Sequence, residues 1–123
     1  MWSGMDRRKF PRAQYKCTIY IRTEGSDRTI STRTENIGAG GICVILKEDL
    51  GLFKSVQLEL DLENGQPGNI KCSGTVVWVV KKRDVRQKNH IDYDTGIEFA
   101  DIDTENRERI AGIVEKVLKD AKE

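Results

Sequence analysis

Positive charge is concentrated in one short stretch near the start of the chain, the sequence RRKFPR from Arg7 to Arg12. Arginine suits bidentate contacts with phosphate and with the O6 and N7 edge of guanine, and its planar guanidinium stacks on purine rings. Taken alone, such a cluster is more often a solvated basic arm than a binding site.

A second segment, ENIGAGG at residues 35–41, contains Asn36 and the glycines Gly38, Gly40 and Gly41. Taken alone, it predicts a tight β-turn. A glycine-rich turn also lets backbone N–H groups approach a ligand, and an asparagine amide adds polar recognition. The segment is not a nucleotide triphosphate loop, because no Lys-Ser/Thr pair follows it and the next residues have a strand pattern. Together with the arginines, it would suit an anionic guanine nucleotide.

The remaining residues give little support for catalysis or metal binding. His90 is the only histidine, which nearly excludes histidine-based triads and metal sites. The three cysteines, Cys17, Cys43 and Cys72, lack paired spacing and are expected to be buried free thiols in a reducing compartment. We therefore predict that the protein is not an enzyme and uses no cofactor.

Composition is typical of one globular domain with a charged surface. The chain has 123 residues, and its 21 basic and 20 acidic side chains give a formal charge of +1, which offers no support for nucleic-acid binding. The basic residues between 81 and 88 lack interleaved aromatic side chains and predict a solvated loop. No signal peptide or apolar run suggests membrane insertion, so we expect a cytoplasmic protein with a flexible segment at residues 1–5.

Hydrophobic periodicity predicts six strands followed by one helix. Apolar residues alternate, or form a short buried run, in Tyr15–Arg22, Arg28–Glu35, Ile42–Leu46, Val56–Leu62, Ile70–Val80 and Tyr93–Ala100. Residues 81–92 predict a charged, mobile hairpin loop. Apolar residues at helical spacing from Ile110 predict an amphipathic helix over 103–121, capped by Asp103 or Thr104. This pattern predicts a mainly β fold, a small antiparallel barrel with a C-terminal helix.

Trp78 lies in the longest predicted strand. Core packing is its more usual role, because large aromatic side chains dominate small cores. Simple alternation places it on one face with Cys72, Gly74, Val76 and Val80, and leaves open whether that face is inside.

RRKFPR followed about two dozen residues later by NIGAGG resembles the PilZ domain, whose signatures are R-x-x-x-R and (D/N)-x-S-x-x-G. The resemblance continues through VQLELDL and GTVVWVV to the closing TGIEFADIDTENRERIAGIV. It covers nearly the whole chain from Asp6.

The resemblance implies a six-stranded, Greek-key-like split barrel with a C-terminal helix that binds the bacterial second messenger cyclic di-GMP. One domain would span 6–123, with an Arg-rich arm at 6–13, the barrel at 14–100 and the helix at 103–121. The arm would close over the ligand and relay binding to an unidentified protein partner. By motif position, the ligand site would contain Arg7, Arg8, Arg12, Asn36, Gly38, Gly40, Gly41 and Trp78.

The resemblance also implies a role for each of these residues. Arg8 and Arg12 would grip guanine and phosphate, and Arg7 matches members with a doubled arginine, which tend to hold an intercalated pair of ligands. Asn36 would bond a guanine edge and Gly41 would allow close approach. Trp78 stands where members often place an aromatic or apolar residue against the ligand.

Gly38 departs from the family pattern, which has serine at this position. Loss of one neutral hydrogen bond, worth roughly 0.5–1.5 kcal/mol, predicts binding weakened by about tenfold. The alternative is a ligand-independent adaptor in motility or pilus assembly, as for PilZ domains that do not bind the nucleotide.

Overall fold

The computed structural model describes residues 11–83 and 90–121. Its strands are β1 (Arg12–Ala13), β2 (Thr18–Thr23), β3 (Thr29–Gly38), β4 (Gly41–Leu46), β5 (Ser55–Asp61), β6 (Ile70–Arg83) and β7 (Ile91–Phe99), followed by helix α1 (Thr104–Ala121). The predicted flexible segment 1–5, together with Arg7 and Arg8, lies outside the described residues.

The strands form one antiparallel sheet that closes on itself. Their order is β1-β3-β2-β5-β6-β7-β4. An additional pairing joins β4, at one edge of the sheet, to β3 near the other edge. Strands β2 to β7 therefore form a six-stranded barrel, and β1 is an extra strand beside the end of β3. The predicted fold class, a six-stranded antiparallel barrel with a C-terminal helix, is confirmed.

Strand β3 is shared between two parts of the barrel. Its first half pairs with β2, whereas its second half pairs with β4, and Ile37 and Gly38 also pair with β1. Thr34, at the change-over, is fully buried. Its hydroxyl accepts a hydrogen bond from Cys17 N at 3.1 Å and donates one to Tyr15 O at 2.7 Å. One side chain thus satisfies two backbone groups in the break between β1 and β2.

The core follows the alternation in the sequence. Ile19, Ile21, Leu60, Ile42 and Ile97 are essentially inaccessible to solvent, and the strand neighbours of the first three are partly or fully exposed. Helix α1 adds Ile110, Ile113 and Val114 to the same core and packs against β1 and β3. Asp103 caps the helix by accepting a hydrogen bond from Asn106 N at 2.7 Å, as the sequence suggested.

Several predicted boundaries were wrong. The charged segment 81–92 is not all loop, because β6 continues to Arg83 and β7 begins at Ile91. The glycine segment contains the predicted tight turn, at Ala39 and Gly40, but its flanking strands extend further than predicted, since β3 runs to Gly38 and β4 begins at Gly41. Residue preference for β structure underestimated the length of the strands in both hairpins. Pairing between strands extends them through residues whose own β preference is weak.

The thiol prediction was correct: Cys17, Cys43 and Cys72 are free and buried. Within residues 11–83 and 90–121, no helix combines the length and apolar character needed to cross a membrane.

Two glycine substitutions test the packing in opposite directions. Gly112 lies in α1 with open space around it, so Gly112→Ala should stabilise the protein by about 0.5–1 kcal/mol through helix propensity.

A Cβ at Gly41 would lie 3.1 Å from Glu98 Cα and closer still to Ile97 O, so Gly41→Ala should destabilise the protein by about 1–3 kcal/mol. Urea denaturation measures both. A Gly41→Ala variant as stable as the wild type would contradict this packing of β4 on β7.

Candidate functional site

Four residues from four strands lie in one row on the outside of the barrel. Asn36 pairs with Cys43, Cys43 pairs with Gly96, and Gly96 pairs with Trp78. Since neighbouring strands lie about 4.8 Å apart, the row is about 14 Å long. The adjacent residues Ile37, Ile42 and Ile97 are fully buried, which places this row on the outer face.

Arg12 lies in the next row of the same face. It pairs with Gly38, which pairs with Gly41. Its neighbour Ala13 is buried in the core, so alternation directs Arg12 outwards. The fold therefore brings Arg12, Asn36 and Trp78 together on one face, although they are far apart in sequence.

A β-bulge explains how Trp78 reaches this face. The β6–β7 register shifts between Val76, which pairs with Ile97, and Trp78, which pairs with Gly96, so Val77 is the extra residue. Trp78 thus moves to the side opposite Cys72, Gly74 and Val76. The expectation that Trp78 shares a face with Cys72, Gly74 and Val76 was therefore wrong, because a bulge breaks the period of two. Trp78 does share the outer face with Val80.

The indole of Trp78 lies directly on Gly96. A Cβ at Gly96 would be 2.7 Å from Trp78 Cδ1 and closer still to Nε1. Gly96 and Cys43 were not identified from the sequence, because their place in the site depends on strand register.

The glycines of the NIGAGG segment contact the protein's own chain. A Cβ at Gly38 would lie 2.7 Å from Pro11 O, and one at Gly41 would crowd the backbone of β7. Gly40 occupies the turn, and its carbonyl accepts a hydrogen bond from Phe99 N at 2.9 Å. None of these three glycines has a positive φ. The small size of Gly38 and Gly41 serves close packing. The contacts of all three glycines with a ligand stay a prediction.

Asn36 presents an unsatisfied acceptor at one end of the row. The residue is half-buried. Its Oδ1 is enclosed and has no hydrogen-bond partner among the described residues, 11–83 and 90–121. A buried acceptor left unpaired costs about 1–3 kcal/mol. An N–H donor reaching this oxygen would recover that cost.

Charged groups surround the middle of the row. Burial raises the pKa of the Cys43 thiol, the Asp94 carboxylate raises it further, and the Arg12 guanidinium opposes both. Cys43 therefore remains a neutral thiol near pH 7. At the margins, Lys16 pairs with Glu35 at 3.5 Å and Lys82 with Asp94 at 2.5 Å.

The arrangement suits non-covalent recognition of a planar, anionic molecule. It offers an aromatic ring, an amide and a guanidinium. Among the residues described, no group of three or more His, Cys, Asp or Glu side chains is placed to hold a metal ion.

Gly96→Ala tests the position of Trp78. In a Trp2→Phe background Trp78 is the only tryptophan, and the new methyl group should push its indole off β7. We expect a red-shifted emission maximum and a changed near-UV circular dichroism spectrum, with far-UV signal retained. Gly112→Ala in the same background is the control. Unaltered tryptophan spectra in the Gly96→Ala variant would show that the ring does not lie on Gly96.

Comparison with known structures agrees with the barrel and its helix. The inhibitor of motility MotI/DgrA from Bacillus subtilis superposes with a TM-score of 0.77 at 21% identity, over 95% of this chain and 54% of that one. The PilZ domain of YcgR from Escherichia coli, solved with c-di-GMP, gives 0.70 at 15% identity over 94% and 95%. The MrkH–c-di-GMP complex from K. pneumonia gives 0.74 at 19% identity over 94% and 54%.

The present chain thus spans about half the length of MotI and MrkH and nearly all of the YcgR PilZ domain. No curated protein sequence matches it. The PilZ domain family model matches residues 6–116. This chain belongs to the PilZ domain family.

Proposed function

We propose that this domain is a receptor for cyclic di-GMP that passes the signal to a protein partner. The observation that carries the proposal is the common face of Arg12, Asn36 and Trp78, created by the pairing of β1, β3, β4, β7 and β6. Family membership supports it, as do c-di-GMP complexes of the similar YcgR and MrkH structures.

Each group on this face matches a part of the ligand. The guanidinium of Arg12 suits a phosphate or the O6 and N7 edge of guanine. The Oδ1 of Asn36 lacks a donor, and a guanine Watson–Crick edge offers N–H groups to it once the side chain turns to expose this oxygen. The half-buried indole of Trp78 offers an apolar surface beside a base.

The motif assigns further contacts to Arg7 and Arg8, and to the segment Gly38–Gly41. A doubled arginine favours an intercalated pair of nucleotides over a single one. The domain would act by binding alone, without catalysis or a cofactor, and would respond to the nucleotide in the cytoplasm.

Isothermal titration calorimetry of the purified protein with cyclic di-GMP tests this directly. We expect saturable heat at micromolar ligand in low salt, weakening as salt screens the phosphate contacts. The molar ratio at saturation separates one nucleotide from two. Absence of heat at tens of micromolar ligand would refute the receptor proposal.

Arg12→Ala should weaken binding because it removes a charge-assisted contact worth about 1.5–3 kcal/mol, or about 10- to 150-fold in Kd. Arg22→Ala is the matched control, since Arg22 is exposed on β2, away from the proposed face. Equal losses in the two variants would point to a general charge effect and against a specific role for Arg12.

A specific observation also favours a protein partner. Leu52 and Phe53 are 52% and 71% exposed, yet their loop is fixed by a hydrogen bond from Phe53 N to Val76 O at 2.7 Å. Phe53 has a φ of 65°, which is strained for a non-glycine residue. Held in this way, the two side chains form a rigid apolar tip suited to protein contact.

The second candidate function, a ligand-independent adaptor, rests on the same tip and on the absent serine at position 38. Backbone amide NMR shifts that stay unchanged on adding nucleotide would favour it. Capture of a partner that is lost in a Phe53→Ser variant would then be required.

A further inference from the structure

The end of the arm, residues 11–13, occupies the space that a side chain at position 38 would need. A Cβ built on Gly38 would lie 2.7 Å from Pro11 O and 2.9 Å from Arg12 Cγ, whereas real Cβ contacts essentially never fall below 3.0 Å. The closest of these atoms is backbone, so the conflict is not relieved by rotating one flexible side chain.

The arm has little room to move away while it stays docked. Arg12 and Ala13 pair with Gly38 and Ile37, and the Ala13 side chain is 3% exposed within the core. A larger residue at position 38 therefore has to displace β1 from β3.

We propose that Gly38 is a positioning residue that allows the arm to dock as β1, so that Arg12 lies on the ligand face before any nucleotide binds. The docked state follows from the packing alone, and its effect on affinity rests on the proposed function. Residues 12 and 13, already ordered in β1, then lose less conformational entropy on binding.

The simplest expectation from the family motif is that restoring serine at position 38 strengthens binding, and the packing of the arm predicts the opposite. If the only effect of Gly38 is the loss of the serine hydroxyl, Gly38→Ser should tighten nucleotide binding and Gly38→Ala should leave it unchanged. If Gly38 provides room for the arm, both substitutions introduce the same Cβ and both should weaken binding.

Limited trypsin digestion of the ligand-free protein tests the docked arm. Cleavage after Arg12 needs the backbone of β1 to leave the sheet. Mass spectrometry should therefore show that cut at least tenfold faster in Gly38→Ala and Gly38→Ser, because the new Cβ clashes with Pro11 in the docked state only and so raises the undocked fraction. Gly112→Ala, the same substitution in open space, should match the wild type.

Two further measurements distinguish release of the arm from unfolding of the barrel. Hydrogen exchange of β5 and β6 peptides reports whether the barrel remains folded in each variant. Ala13→Asp should release the arm without touching position 38, because it places a charge at a buried site. Cleavage at the wild-type rate in both Gly38 variants, with the barrel intact, would overturn the proposal.

Titration with cyclic di-GMP then tests the consequence for binding. We expect Gly38→Ala and Gly38→Ser to bind about tenfold more weakly than the wild type, to a similar extent. Tighter binding by Gly38→Ser with unchanged binding by Gly38→Ala would refute the link to affinity. A wild-type protein that binds no nucleotide would refute the receptor function, while the digestion result would still decide whether Gly38 docks the arm.

Discussion

The second half of β3 is the part of the fold on which the candidate site depends. Residues 34–38 pair with β4 to close the barrel, and the last two of them also hold β1. Asn36 enters the row of Trp78 through β4 and β7, so without this closure the two residues would not lie in one row. The buried hydroxyl of Thr34 helps to maintain the arrangement by satisfying backbone groups where β1 and β2 are interrupted.

Small residues determine how groups are arranged on the outer face. Gly38 admits the backbone of the arm and Gly96 admits the indole of Trp78, so that each lies directly on the sheet. A side chain at either position would hold its partner away from the face by roughly the length of one carbon–carbon bond. Close packing makes such changes costly, because a core or sheet has few alternative arrangements of equal density. The two sides of the proposed site are thus fixed by residues that have no side chain to contact a ligand.

The six barrel strands and the helix were predictable as segments, because burial leaves a periodic trace in the sequence. Ile19, Ile21 and Leu60 alternate with polar neighbours, and the stripe from Ile110 marks α1. The bulge at Val77 left no such trace, since VVWVV is apolar on both faces and reads equally well in either phase. Docking of β1 was also unpredictable, because a two-residue strand carries no period. The motifs identified Arg12, Asn36 and Trp78 individually, but only strand register, which belongs to pairs of strands, shows that they share a face.

The same bulge links the candidate ligand face to the exposed apolar tip. Val76, the last regularly paired residue before the bulge, accepts a hydrogen bond from Phe53 N and donates one from its own N to Lys54 O at 3.0 Å. Two residues further on, Trp78 faces the proposed ligand. A displacement of β6 at the bulge must either carry the Leu52–Phe53 loop with it or break these two bonds. Because Phe53 already has a strained backbone, its conformation depends on those bonds more than that of a relaxed turn would. The two surfaces thus share one element, and an element that both surfaces bias between two arrangements is the physical requirement for relaying a binding event from one to the other.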